Sequence, residues 1–201
     1  MTFRSPRLKR PNVDPALAGR VPPGQHVTER WPVLQYGAVP ELELASWDLR
    51  IFGVVGRQLT LTWQEFEAFP QTEVVADMHC VTRWTRLDMT WQGVPFSEIT
   101  RLVSPAPEAS HVLLHGEAGY AANLQLNDML EADVLLATHV NGERLTPEHG
   151  YPLRAVIPRR YAWKSVKWLR GIEFLTADAP GFWERYGYSN EADPWQEQRF
   201  A

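Results

Sequence analysis

A single cysteine, Cys80, sits at the end of the apolar run Val74-Val75-Ala76-Asp77-Met78-His79 and is followed by Val81, Thr82 and Arg83. One cysteine in 201 residues allows neither an intramolecular disulfide nor a multi-cysteine zinc site. Three uses remain: packing, nucleophilic chemistry, or one thiolate bond to a cofactor metal. Taken alone, the residue reads as a packed small hydrophobe, because free cysteines are among the most buried side chains. Arg83 alters that balance, since a guanidinium close to a strand-end thiol lowers its pKa and eases ionisation.

Two further segments carry chemistry. In His149-Gly150-Tyr151-Pro152-Leu153-Arg154-Ala155-Val156-Ile157-Pro158 an arginine interrupts an apolar strand, where an unpaired guanidinium is costly. Either a structural carboxylate or an anionic ligand must meet it, and its planar fork suits phosphate and carboxylate alike. Five of the twelve residues from Arg159 to Arg170 are basic, and Ser165 lies between Lys164 and Lys167. Side-chain charge and free turn amides can together hold a phosphate there; a solvated basic face is the competing reading. No glycine-rich phosphate loop, zinc-protease helix or serine elbow occurs.

These residues need a scaffold. Asp48 to Val55 reads as a strand and Gln58 to Thr62 as its hairpin partner, with Thr62 to Glu65 spaced as a capping box before a helix ending ahead of Pro70. Further strands are predicted at Val74 to Met78, from Asp88 into a helix near Pro95, and at His111 to His115, Ala121 to Leu126, Val134 to Val140, Leu153 to Pro158 and Ile172 to Leu175. Close strand spacing with brief helices predicts an α+β, mixed and mostly β domain. Residues 1–30, rich in proline, read as an extended N-terminal arm, residues 31–176 as the domain, and 177–201 as an irregular aromatic tail packed back on it.

A net charge of -4 speaks against nucleic acid as a partner, and Arg4, Arg7, Lys9 and Arg10 read as a solvated terminal cluster. No stretch approaches the roughly 20 apolar residues of a membrane span. The absence of an apolar signal segment reads as a cytoplasmic location.

Taken in order, His79-Cys80, Trp91-Gln92-Gly93-Val94-Pro95, Asn141-Gly142-Glu143 with Leu145, His149 to Arg154, and Lys164 to Leu169 resemble the molybdopterin-binding domain of the sulfite oxidase family. The likeness is to its small single-domain bacterial branch, which includes the catalytic subunit of periplasmic methionine sulfoxide reductase. The resemblance implies a sulfite oxidase-type fold, molybdenum and molybdopterin as cofactors, and Cys80 as the one protein ligand to the metal, a soft thiolate beside the pterin's own sulfurs. It further implies pterin contacts at His149 and Arg154 and phosphate contacts at Lys167, Lys164 and Ser165. Gln35 and Tyr36 fall on an early cofactor loop, Tyr120 to Asn123 on a loop bordering the site, and His79 and Thr82 beside the metal ligand. The implied reaction is two-electron oxygen-atom transfer on a small-molecule substrate, a sulfur oxyanion or S-oxide. Arg83 is assigned the positive charge that stabilises such a substrate.

Two departures bear on specificity. Leu34-Gln35-Tyr36-Gly37 lacks the arginine of the sulfite oxidases proper, and Thr82 stands where the reductase branch has glutamate. With no haem domain, electrons must pass to a separate partner, a haem, flavin or quinone protein. Two other readings compete: a non-catalytic binding module that retains the fold, and a thiol enzyme using Cys80 without metal, which lacks a resolving cysteine.

Overall fold

The computed structural model describes residues 14–201, so the basic cluster Arg4 to Arg10 lies outside the described residues. The first strand, β1 (His26–Val27), pairs in parallel with Trp84 and Thr85. The segment before it is not confined to the surface: Val21 and Gln25 are buried, and Arg20 bridges Asp77 and Asp88. β2 (Asp48–Gly53) and β3 (Leu59–Thr62) form the predicted antiparallel hairpin, with Asp48 opposite Thr62. β2 stops two residues short of Val55 at Gly53, whose φ of +93° breaks the extended backbone. Thr62 then caps α1 (Trp63–Glu67) by the predicted reciprocal box: its hydroxyl accepts from Glu65 N, and its own N–H donates to Glu65 Oε2 at 2.8 Å.

β4 (Thr72–His79) turns through Cys80–Arg83 into β5 (Trp84–Pro95), antiparallel from the Thr72–Gly93 pair to the His79–Thr85 pair. β5 is longer than the short strand predicted from Asp88. Pairing on β4 along one edge and on a later strand along the other carries it over 12 residues, through a bulge at Asp88, whose φ is +54°. Pro95, with no N–H to leave unsatisfied, precedes α2 (Phe96–Val103). There follow β6 (His111–Gly116), β7 (Ala121–Gln125), α3 (Leu126–Met129), β8 (Leu135–Val140), β9 (Glu143–Arg144), β10 (Arg154–Val156) and β11 (Leu169–Leu175). Asn141 and Gly142, with φ of +51° and +82°, make the tight β8–β9 turn.

Two mixed sheets result. One runs β1-β5-β8-β10, with β4 also on β5 and β9 on β8; the other runs β3-β2-β11-β6-β7. This is the mostly β architecture with short helices that strand spacing predicts. Alternation in β8 and β10 then sorts side chains between two faces. Leu136 and Ala155 join the main core with Ile51, Leu114 and Phe174, whereas Leu135, Ala137 and Val156 pack on the other face with Met78, Cys80, Trp84 and Trp91. Arg154, two residues before Val156, projects to that second face, where the chemistry-bearing residues gather. In the tail, Ser189, Ala192 and Arg199 are buried against the domain. No described helix is long and apolar enough to cross a membrane.

Candidate functional site

A cavity of about 290 Å³ opens on the second face of the six-stranded sheet. Of the residues singled out by sequence, it is lined by Gln35, Tyr36, Cys80, Thr82 and Tyr120, and by His149, Arg154, Ser165 and Lys167. The first group reaches it from the early loop, the turn after β4 and the turn before β7. The second comes from β10 itself, which carries Arg154, and from the turns on either side of it.

Cys80 occupies a closed turn. Its N–H donates to Trp84 O and its carbonyl accepts from Arg83 N, both at 2.9 Å. The thiol is 7 % exposed, and Sγ accepts from the Thr82 hydroxyl at 3.2 Å. Burial raises its pKa, opposed by the Thr82 hydrogen bond and by the charge of Arg199. A metal bound there would take the place of the proton such a thiol otherwise keeps.

Arg154 is buried and forms no ion pair with the described residues. It donates instead to three backbone carbonyls, His149 O at 3.0 Å, Ser165 O at 3.1 Å and Ala155 O at 3.3 Å, and stacks between Trp31 and Trp91. Two of its five N–H donors stay uncommitted. Burial drives its pKa down to about 9, with little nearby charge to oppose it. Lys167, also without an ion pair among the described residues, reaches Leu34 O, Gln35 Oε1 and Glu148 O. Burial and the neighbouring Arg154 lower its pKa to about 8. His149 stacks on Trp31 at 3.7 Å and is kept toward its neutral form, mainly by burial. Ser165 offers its carbonyl to Arg154 and its hydroxyl oxygen to Ile157 N. Paired cations with no carboxylate partner are disfavoured unless something anionic joins them.

Four sequence-predicted residues do not reach the cavity. Lys164 is the clearest case: Nζ meets Glu184 Oε1 at 2.7 Å and Asn123 O and Oδ1 at 2.8 and 2.9 Å, so a structural carboxylate takes the place assigned to phosphate. Asn123 belongs to the same buried network and hydrogen-bonds Asp178 and Asn190. His79 points to Thr85 Oγ1, at 2.9 Å, because strand alternation turns it away from its neighbour; burial lowers its pKa to about 4. Arg83 is exposed at φ +75°, with its side chain toward Gly24. The guanidinium that touches the Cys80 turn is Arg199, whose Nη1 donates to Val81 O.

Sequence reasoning passed over the aromatic walls, Trp31, Trp163, Trp168, Trp183 and Tyr188. Trp163 is held by its own contacts: its indole donates to Glu184, its carbonyl accepts from Tyr120 OH, and its ring stacks on Tyr161. The interleaving of aromatics with basic residues between Arg159 and Arg170 was the available signal. Among the described residues no cluster of three or more His, Cys, Asp or Glu can hold a metal. A metal at Cys80 therefore depends on donors that arrive with it. The soft thiol and the two unpaired cations fit a metal carried by an anionic, sulfur-donating cofactor.

The fold defines the class. Its two mixed sheets match the sulfane dehydrogenase SoxCD from Paracoccus pantotrophus with a TM-score of 0.66 at 22% identity, over 92% of this chain and 58% of that one. This is the sulfite oxidase-type fold. More particularly, residues 36–183 match the oxidoreductase molybdopterin binding domain, and the chain belongs to that family. It is a molybdenum cofactor-dependent oxidoreductase. An uncharacterized oxidoreductase, YuiH, of Bacillus subtilis is 50% identical over 92% of this chain and 93% of its own length. The protein-methionine-sulfoxide reductase catalytic subunit MsrP of Gluconobacter oxydans is 27% identical over 74% of this chain and 54% of its own.

Proposed function

We propose that Cys80 is the single protein ligand to a mononuclear molybdenum held by molybdopterin. The bound cofactor supplies two-electron oxygen-atom transfer, and the substrate is a small sulfur compound. The observation that carries this reading is one cavity holding the lone thiol together with a buried arginine and a half-buried lysine, neither with a carboxylate partner among the described residues. Arg154 meets the pterin with its two uncommitted donors, and Lys167 meets the phosphate, Gln35 being the one side-chain acceptor it must release. His149 and Trp31 form a stacked wall, and the Ser165 carbonyl holds the Arg154 fork in place.

Nearest Cys80 along the chain, the lining residues Met78, Val81, Thr82 and Trp84 carry no charge. Val81 packs on the cluster of Tyr161, Trp163 and Ala192, and Thr82 offers a hydroxyl, while Arg83 lies elsewhere. Such surroundings favour a neutral S-oxide or thioether over a sulfur oxyanion, because little compensates the desolvation of a second anion. Electrons are exchanged with a separate haem, flavin or quinone protein. The proposed compartment is the cytoplasm, which cell fractionation tests.

Metal analysis of the protein from molybdate-replete cells tests the ligand. Cys80→Ser should retain at least about tenfold less molybdenum than the wild type. Equal molybdenum in the two proteins would overturn the assignment.

A further inference from the structure

Two segments outside the family-matched residues 36–183 converge on the turn that carries Cys80. From the N-terminal side, the fully buried Gln25 donates from Nε2 to the Cys80 carbonyl at 3.1 Å. From the C-terminal side, Arg199, 7 % exposed, donates from Nη1 to the Val81 carbonyl at 2.6 Å. Successive carbonyls of one turn are thus held by side chains from opposite ends of the chain. Neither bond is a local consequence of the turn, whose own closure uses Arg83 N and Trp84 O.

Arg199 is itself fixed. Its guanidinium lies over the Tyr161 ring at 5.1 Å, its Nη2 is 3.8 Å from Glu197 Oε1, and its carbonyl accepts from Ser189 N. The two segments also meet each other: Glu197 Oε1 lies 2.8 Å from where a Cβ on Gly24 would stand, and the φ of +72° at Gly24 is what favours glycine there. Tail and N-terminal segment form one brace behind the thiol. Val81, whose carbonyl Arg199 holds, packs against the buried cluster of Tyr161, Trp163 and Ala192. The brace therefore connects the Cys80 turn to the cavity wall opposite the sheet.

We propose that Arg199 and Gln25 are positioning residues that hold the Cys80–Arg83 turn so that Sγ faces the cavity. Their place in the fold makes the tail part of the site rather than a cover over it. A charge-assisted bond to a buried carbonyl is harder to replace by water than a neutral one, which makes Arg199 the stronger of the two holds. The inference rests on Cys80 being the functional thiol, but its test needs no metal.

The test is alkylation of the full-length chain, purified from cells unable to make the pterin, by iodoacetamide. Cys80 is the sole cysteine, so one site is read. It is 7 % exposed at the cavity, so it reacts slowly through that opening, and any opening of the turn adds a faster route. Arg199→Ala and Gln25→Ala should each accelerate alkylation by about tenfold. Arg199→Lys, which keeps a donor, should restore most of the protection. Asn190→Ala serves as the control: it removes the tail's hydrogen bonds to Asp178 and Asn123, away from the turn, and should lower Tm without exposing the thiol.

Alkylation of both Arg199→Ala and Gln25→Ala at the wild-type rate would overturn the proposal. Equal acceleration by Asn190→Ala would overturn it too, since the tail would then be a general stabiliser. Should Arg199→Ala not fold, the rate of Gln25→Ala decides alone. The outcome is independent of the molybdenum analysis, so failure of the cofactor reading and failure of the brace are told apart.

Discussion

Replacing Arg154 by methionine separates a structural guanidinium from one that awaits an anion. Burial lowers its pKa to about 9, between three and four units below the ordinary guanidinium. At about 1.4 kcal/mol per unit, holding it charged in the cofactor-free protein costs roughly 5 kcal/mol. Its three hydrogen bonds to the carbonyls of His149, Ala155 and Ser165 already belong to that balance, so removing the charge forfeits no net stability. Methionine keeps an unbranched side chain between Trp31 and Trp91, and the freed carbonyls border a cavity that water can enter. Cofactor-free Arg154→Met should therefore unfold within about 1–2 kcal/mol of the wild type. Cofactor retention should behave differently, because removing the partner of a desolvated anion costs about 2–5 kcal/mol, or at least roughly thirtyfold in affinity. Urea unfolding of protein from pterin-deficient cells gives the first quantity; molybdenum and pterin content from replete cells reports the second. A loss of about 3–5 kcal/mol without cofactor, with normal cofactor content, would mark Arg154 as half of a structural pair and refute the reasoning.

The neighbouring lysines should show opposite patterns. Lys164→Met leaves Glu184 buried and unpaired, so urea unfolding should reveal a loss of about 3–5 kcal/mol, while sulfate affinity of the cofactor-free protein stays at the wild-type level. The pH dependence follows from Lys167 and Arg154, whose folded pKa values of about 8 and about 9 lie below those of an ordinary lysine and arginine. Above pH 8 the unfolded chain holds more protons than the folded one, so cofactor-free stability should rise from about pH 8 toward 10. Over the same range sulfate affinity should fall as Lys167 deprotonates, in titrations followed by calorimetry. Stability and affinity both flat between pH 8 and 10 would contradict the burial of these cations.

Much of the scaffold is legible in the residues because the forces that write it are local. Alternation from Asp48 to Thr62 and the Thr62–Glu65 box act over a few residues, and both fold as read. The length of β5 is not legible, since it depends on strands that pair along both of its edges. Within the site, strand parity explains one miss that sequence could have avoided. Neighbours in an extended chain face opposite ways, so His79 and Cys80 do not share a side. The lysines are harder: Lys164 and Lys167 lie three residues apart across a 3-10 turn and an irregular bend, and their directions follow from that backbone alone. Lys164 finds Glu184 in the tail, and no local pattern announces that meeting.

By itself, then, the sequence determined the inventory: a solitary thiol, an arginine within an apolar strand, a basic segment, and the short-range signals for most of the strands. Tertiary structure decided which charges face the cavity. Arg83, adjacent in the chain, is turned outward by a left-handed backbone, whereas Arg199 reaches the Cys80 turn from a tail with no periodicity to read. The physical reason is that burial and the exclusion of carboxylates belong to surfaces assembled from distant segments. Those two conditions make an arginine or lysine await a ligand rather than hold the fold.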